Sequence, residues 1–396
     1  MIIYFSARDM MPLWRVDVSV LFGKYLARKG FEISWFVLSP TGVSYPVWFS
    51  PLKSKIFLLT KGPWLSLQKF GLERYRDIYL GYKILTDKPD LAIIRDDYIS
   101  LLITGFFCWI KKVPCVFWMS FLMEDGFVVL GKHQKNSKGY LKVIYGNIYS
   151  LIGRLGLKLW ADHLFVQSER MESVVRDRKL FDGHITPVHM AVDLEELSNL
   201  PSPSIENHKL NIGYCGAISI HRGIESIFLA LELLKNKNHD VCLHLVGWFE
   251  TKEDEEFFTN LIHRLDVSKL VVFYGRMPWI QGCAHMRACD LCISPIPDSR
   301  LFTVGSPTKL FEYMALGKPV IASRHALQSK IVEDAKCGWL CDLTGESVAE
   351  AVLSALSSQN SLLALGQNGL AYTKKFHSYS VRSEQVYKAL TELRRT

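Results

Sequence analysis

Apolar residues follow two rhythms that alternate along most of the chain. Short continuous apolar runs at 2–6, 32–38, 91–94, 115–119 and 163–167 predict strands of a parallel sheet. Both faces of such a sheet are covered, which removes the usual polar alternation. Between the runs, apolar positions return every three or four residues, as across 16–28, and Gly30 stops that helix. Leu200-Pro201-Ser202-Pro203-Ser204 breaks the rhythm and reads as a linker. Beyond it the alternation restarts, with strands at 210–214, 241–246, 270–274, 291–294, 319–322 and 339–341. Helices are predicted at 223–235 and 253–265, the first with Ile224, Ile227, Phe228, Leu231 and Leu234 on one face. This order predicts an α/β protein of two Rossmann-like, doubly wound parallel-sheet domains, at 1–200 and 205–375. The domains are expected to face each other across a ligand cleft at the strand carboxyl ends. A last helix, 376–396, is expected to pack back on the first domain.

Composition narrows the partners. The 396 residues include 47 Lys+Arg against 39 Asp+Glu, a formal charge of +8, and 49% are hydrophobic, which excludes a disordered chain. The positive balance points to anionic partners without separating phosphorylated metabolites, nucleic acid and membrane. Nine cysteines, many among apolar neighbours, favour a reducing compartment. Cys289 and Cys292 form a CxxC near Cys283 and His285, but the run Leu291-Cys292-Ile293 reads as a buried strand, so no metal is expected. The chain enters a strand pattern at Met1-Ile2-Ile3 without the marks of a signal peptide, and the apolar run 99–110 is too short to span a bilayer. It reads as a buried helix. A cytoplasmic protein is expected. Residues 126–161 carry Lys132, Lys135, Lys138, Lys142, Arg154 and Lys158 and no acid. There Leu141, Ile144, Tyr145, Ile148, Leu151, Ile152, Leu155 and Leu159 form one helical stripe, which reads either as a core-facing helix or as one lying on an anionic leaflet.

No GxGxxG follows a predicted strand and no GxxxxGK[ST] occurs. Instead Gly305-Ser306-Pro307 leads into a helix starting near Thr308, whose free N–H groups and dipole suit a diphosphate. Lys309 in that first turn disfavours the helix alone and is better explained by a bound phosphate. Glu312 lies one turn further on, with a solvated pair of Lys309 and Glu312 as the alternative reading.

The stretch from Asp290 to Ser323, with Gly305-Ser306-Pro307-Thr308-Lys309-Leu310-Phe311-Glu312 at its centre, resembles the donor-binding region of family 4 retaining glycosyltransferases of the GT-B fold. The resemblance gives Glu312 the ribose hydroxyls. Gly213 to Ile224 resembles the family's phosphate loop, with Gly216 in it, Ala217 where the family has arginine and Arg222 where it has lysine. Gly247, and Gly275 with Met277, resemble the strand ends that line the nucleoside pocket. Val304 stands where the family often has a carboxylate, with Asp298 in the preceding loop as the candidate substitute, and the glycine pair and histidine usual in the first domain are absent.

What the resemblance implies is transfer of a sugar from a nucleotide-diphosphate sugar to a saccharide or lipid-linked saccharide, without metal or other cofactor. Arg222 and Lys309 would stabilise the departing diphosphate. Glu124 and Asp125 are candidate acceptor-positioning or base groups, with an exposed charged loop as the alternative, and Arg8 and Asp9 are expected at the same cleft. A nucleotide-sugar epimerase and a non-catalytic sugar-nucleotide binder share the architecture. Nucleic acid is the least supported partner, since no recognised module is present.

Overall fold

A computed structural model describes residues 1–10, 16–41, 54–59, 65–133, 137–198, 200–205, 210–299 and 302–394. Lys135, in the basic stretch, lies outside them. The chain divides into two compact units, Met1–His189 with Tyr379–Thr396, and Met190–Ser378.

The first unit holds seven parallel strands: β1 (Ile2–Met10), β2 (Glu32–Pro40), β3 (Lys55–Leu59), β4 (Leu91–Arg95), β5 (Cys115–Met119), β6 (His163–Val166) and β7 (His184–Pro187). Their order is β3-β2-β1-β4-β5-β6-β7, so the winding reverses between β1 and β4. Every residue of β4, β5 and β6 is buried, as unbroken apolar runs require of a sheet covered on both faces. β1 outlasts its predicted run and carries Arg8 and Asp9 to the sheet edge, with an irregularity after Ser6. The first helix, Asp17–Leu26, has π winding. The helix Tyr379–Leu393 packs on that region, with Phe31 stacked on Tyr387 and Gln385 donating to the Pro187 carbonyl at 2.8 Å.

Two helices depart from the sequence reading. Tyr98–Lys111 is capped by the Asp97 carboxylate and buries only one face, leaving Phe106, Trp109 and Ile110 exposed. Ser137–Trp160 turns its glycines inward and its apolar stripe outward, so the core-facing alternative does not hold. Periodicity locates a stripe but not its partner, and here the glycines allow closer approach.

The second unit holds β8 (Leu210–Ile218), β9 (Val241–Phe249), β10 (Val271–Gly275), β11 (Leu291–Ser294), β12 (Val320–Ser323) and β13 (Gly338–Cys341), all parallel, in the order β10-β9-β8-β11-β12-β13. The winding reverses between β8 and β11. Ile224, Ile227, Phe228, Leu231 and Leu234 all enter its core. Val192 and Leu197, placed with the first domain in the sequence reading, pack in this unit. Cys289 and Cys292 are fully buried there, and among the described residues no group of three or more His, Cys, Asp or Glu is arranged for a metal.

Candidate functional site

The strand β8 runs four residues beyond its predicted end, because Gly216 and Gly247 face each other in its ladder with β9. A Cβ on Gly247 would overlap the Gly216 carbonyl, so the two backbones approach this closely only with glycine at 247. The predicted phosphate loop thereby shrinks to Ser219–Gly223. Ser219 caps its single turn, Ile220–Arg222, and Gly223 closes it at φ +70°.

Across from that strand end, the helix Thr308–Ala315 begins at Pro307 without a side-chain cap. Its first turn sends Lys309 over Gly216, where a Cβ would collide with the lysine chain. The ammonium lies 5.9 Å from the Tyr214 ring centroid. Burial and the nearby Arg222 push the Lys309 pKa down, against the pull of Glu312 and Glu250. A lysine desolvated beside another cation is poised for an anion.

Glu312 accepts a hydrogen bond of 2.7 Å from the Trp279 indole N–H. Burial raises its pKa, while that bond and Lys309 oppose the rise. Arg222 is turned onto Glu250, with Nη2 and Nε at 2.8 and 3.2 Å from one carboxylate oxygen, and its guanidinium lies 5.7 Å from the Phe302 ring. Ser306 spends its hydroxyl on the Met190 N–H at 3.1 Å, and thus ties the loop before the helix. Gly305 closes a turn on Phe302, while Thr308 is half-buried at the helix start. Gly275 ends β10 at φ +72°, and Met277 packs beside Trp279 against the second core. Val304 is buried, and Asp298 accepts from the Thr303 hydroxyl at 3.0 Å.

Lys309, which lies over Gly216, is therefore coupled electrostatically to both Arg222 and Glu312. Sequence reasoning missed Tyr214, Glu250 and Trp279. The last carried a signal: an indole beside an expected nucleoside pocket needs an acceptor for its N–H.

In the first unit Glu124 and Asp125 are not in an exposed loop. They occupy the first turn of the helix Met123–His133, each 3% exposed. Arg178 holds both Asp125 oxygens, at 3.0 and 2.8 Å. Glu124 receives a long hydrogen bond from Tyr98 at 3.4 Å, and its other oxygen has no hydrogen-bond partner. Burial, ahead of the neighbouring Asp125, raises the Glu124 pKa. At the β1 and β4 ends, Arg95 joins Asp9, Asp17 and Asp96, while Arg76, Arg74, Asp77 and Asp97 meet around the Ser100 hydroxyl. Arg8 has an unpartnered buried Nη1. The sequence signal for these networks was Arg95-Asp96-Asp97 directly after a wholly apolar strand.

Residues 199–371 match the sequence profile of the family Glycosyl transferases group 1. The second unit holds a group 1 glycosyltransferase domain. No curated protein matches the chain in sequence. Among solved structures, sucrose-phosphate synthase from Thermosynechococcus elongatus is similar over 99% of each chain, at 16% identity and a TM-score of 0.74. Anabaena HepE, solved in complex with UDP, is similar over 99% of this chain and 100% of its own, at 15% identity and a TM-score of 0.70. WaaG, a glycosyltransferase involved in lipopolysaccharide biosynthesis, is similar over 99% and 100%, at 15% identity and a TM-score of 0.65. The fold is GT-B, two Rossmann-like parallel-sheet domains, and the Lys309–Glu312 helix belongs to the glycosyltransferase domain. Among the described residues no helix is long and apolar enough to cross a membrane.

Proposed function

We propose that the protein is a retaining, metal-independent glycosyltransferase that moves a sugar from a nucleotide-diphosphate sugar to a saccharide or lipid-linked saccharide in surface glycan synthesis. Lys309, held over Gly216 at the end of β8 and coupled electrostatically to Arg222 and Glu312, carries this reading. The diphosphate would meet the Lys309 ammonium and the first-turn N–H groups of Thr308–Ala315, and Arg222 once it leaves Glu250. Glu312, already oriented by Trp279, has a carboxylate oxygen to offer the ribose hydroxyls.

In the reaction the bond from the anomeric carbon to the diphosphate oxygen breaks, and the diphosphate keeps the electron pair. The acceptor hydroxyl oxygen bonds to the same carbon from the same face, and its proton passes to the departing diphosphate. Lys309 and Arg222 would hold the charge that grows on that group, the electrostatic contribution that dominates such steps. Glu124, whose buried Oε1 accepts no hydrogen bond and lies 3.9 Å from Arg178, is a better acceptor-positioning carboxylate than Asp125, both of whose oxygens Arg178 holds. The place of work would be the cytoplasmic face of the membrane.

HepE is solved with UDP and with UDP-glucose, which makes uridine diphosphate sugars the first donors to test. Radiolabelled nucleotide sugars are incubated with the protein and a membrane extract, and label is followed into lipid and polysaccharide. Transfer that disappears in Arg222→Ala and Lys309→Ala is expected. No transfer from any common donor, with nucleotide binding unchanged in both variants, sinks the reading.

A further inference from the structure

The 24-residue helix Ser137–Trp160 is seated through its glycines. A Cβ on Gly146 would stand 2.9 Å from a Val128 methyl, one on Gly153 2.5 Å from the Tyr98 ring, and one on Gly156 3.3 Å from a Leu101 methyl. Only that face approaches its neighbours closely, so the helix cannot roll its large side chains inward without losing the seat. The opposite face carries Tyr140, Leu141, Ile148, Leu151 and Leu155, with exposures of 74, 65, 52, 66 and 51%. From Tyr140 to Leu155 these positions span about 23 Å of the helix at the usual rise.

The surface continues past the helix. Phe106 and Trp109, exposed on the helix Tyr98–Lys111, pack beside Trp160 with ring centroids 6.1 and 5.8 Å away. A groove of about 970 Å³ opens there, lined among others by Trp109, Lys112, Lys158 and Trp160. Exposed cations flank the apolar row: Lys112 at this end, and Lys132 and Lys138 at the other. Lys158 is paired with Asp182 at 2.9 Å. No acid lies between residues 126 and 161. A monomer rarely leaves so long an apolar row in water.

We propose that this face lies on an anionic lipid surface, with Tyr140, Leu141, Ile148, Leu151 and Leu155 in the acyl boundary and Lys112, Lys132 and Lys138 at the headgroups. Charge complementarity selects lipid of that sign: Lys112, Lys132 and Lys138 beside the apolar row gain with each anionic headgroup, while the acids at the groove end are Asp182, paired with Lys158, and Asp162, which accepts from the Cys115 N–H. Aromatic side chains at Tyr140 and Trp109 suit the headgroup boundary. The inference rests on the membrane placement proposed above and names its surface and lipid class, while the sugar chemistry plays no part in it.

The whole chain is floated with phosphatidylcholine vesicles, with and without phosphatidylglycerol. Binding is expected with phosphatidylglycerol and at least about tenfold weaker without it, since each cation contributes about fivefold. Lys112→Gln/Lys132→Gln/Lys138→Gln is expected to lose most of the charge-dependent binding, and Leu141→Gln/Leu151→Gln/Leu155→Gln nearly all binding. Circular dichroism melts confirm that both variants fold. For the unaltered chain, brominated lipid is expected to quench fluorescence that Trp109→Phe removes, a readout that needs neither variant to fold. Failure to float with either vesicle overturns the proposal. So does equal binding to both, or a concentration-dependent dimer that the leucine variant abolishes while flotation persists. Nucleotide binding, measured on the same samples, fails or survives separately and tests the transferase reading alone.

Discussion

The chain of Lys309 lies over the backbone of Gly216, in the space a Cβ on that residue would fill. Glycine at 216 therefore sets where the ammonium stands. Gly216→Ala is expected to displace Lys309 and weaken nucleoside-diphosphate binding about 10–100-fold, the loss of one charge-assisted contact. Lys309→Ala should cost a similar factor, and the double variant little more, because both remove the same interaction. Calorimetric titration with nucleoside diphosphate measures all three. Binding by Gly216→Ala at the unaltered affinity would separate the glycine from the lysine.

Trp279 orients Glu312, whose pKa burial raises. Only the ionised carboxylate accepts from two ribose hydroxyls, so nucleotide affinity is expected to fall as pH drops through this raised pKa. The folded chain also holds this proton more tightly than the unfolded one. Glu312 thus subtracts stability as pH rises from the ordinary carboxylate range through the raised value, and stops changing it above. Glu312→Gln should flatten both dependences. Trp279→Phe removes a bond that favours the charged form, and should move the binding transition to higher pH. Titrations across the mildly acidic range decide it, and an unmoved transition in Trp279→Phe counts against the pairing.

The two parallel sheets and their inner strands were legible because buried runs such as Leu91–Arg95 and Cys115–Met119 have no polar alternation to blur them, whereas the edge strands β3 and β7, less fully buried, were not found. Lys309 stood out as a candidate because a cation in a first helical turn needs an external reason. What pairs with what was not. The Arg222–Glu250 and Arg178–Asp125 contacts join residues 28 and 53 positions apart, and no local rule links such positions. Which of its two readings holds for the helix Ser137–Trp160 was open for the same cause. Its stripe was visible, but its seat depends on Tyr98 and Leu101 of another helix.

Arg222 is held by Glu250, and both side chains are about one-third exposed, at 30 and 37%. Such a pair is worth at most about 1 kcal/mol, whereas a charge-assisted bond to phosphate is worth about 1.5–3. The diphosphate should win the guanidinium. Arg222→Ala is expected to weaken nucleotide binding about tenfold or more, on the same scale. Glu250→Gln, which frees Arg222, should strengthen it by no more than about fivefold, the value of the competing pair. Weaker binding by Glu250→Gln would mean that the glutamate holds Arg222 in place rather than away.

Glu124 and Asp125 are neighbours with opposite prospects. Asp125 accepts from Arg178 with both oxygens, so Asp125→Ala leaves a largely buried guanidinium with only the Glu124 oxygen, 3.9 Å away, to face it. Because Arg178 remains 28% exposed, the cost is expected below the fully buried case, at about 1–3 kcal/mol of stability. Glu124 instead has a buried oxygen without a hydrogen bond and a raised pKa. Glu124→Gln removes a charge that burial disfavours, and is expected to hold or increase the melting temperature. If Glu124 positions the acceptor, the same variant should lower turnover at least tenfold with nucleotide affinity unchanged. Thermal melts of both variants, set beside transfer rates at saturating donor, separate the two roles. A Glu124→Gln protein that melts early and transfers normally would reverse the assignment and make Glu124 the structural member of the pair.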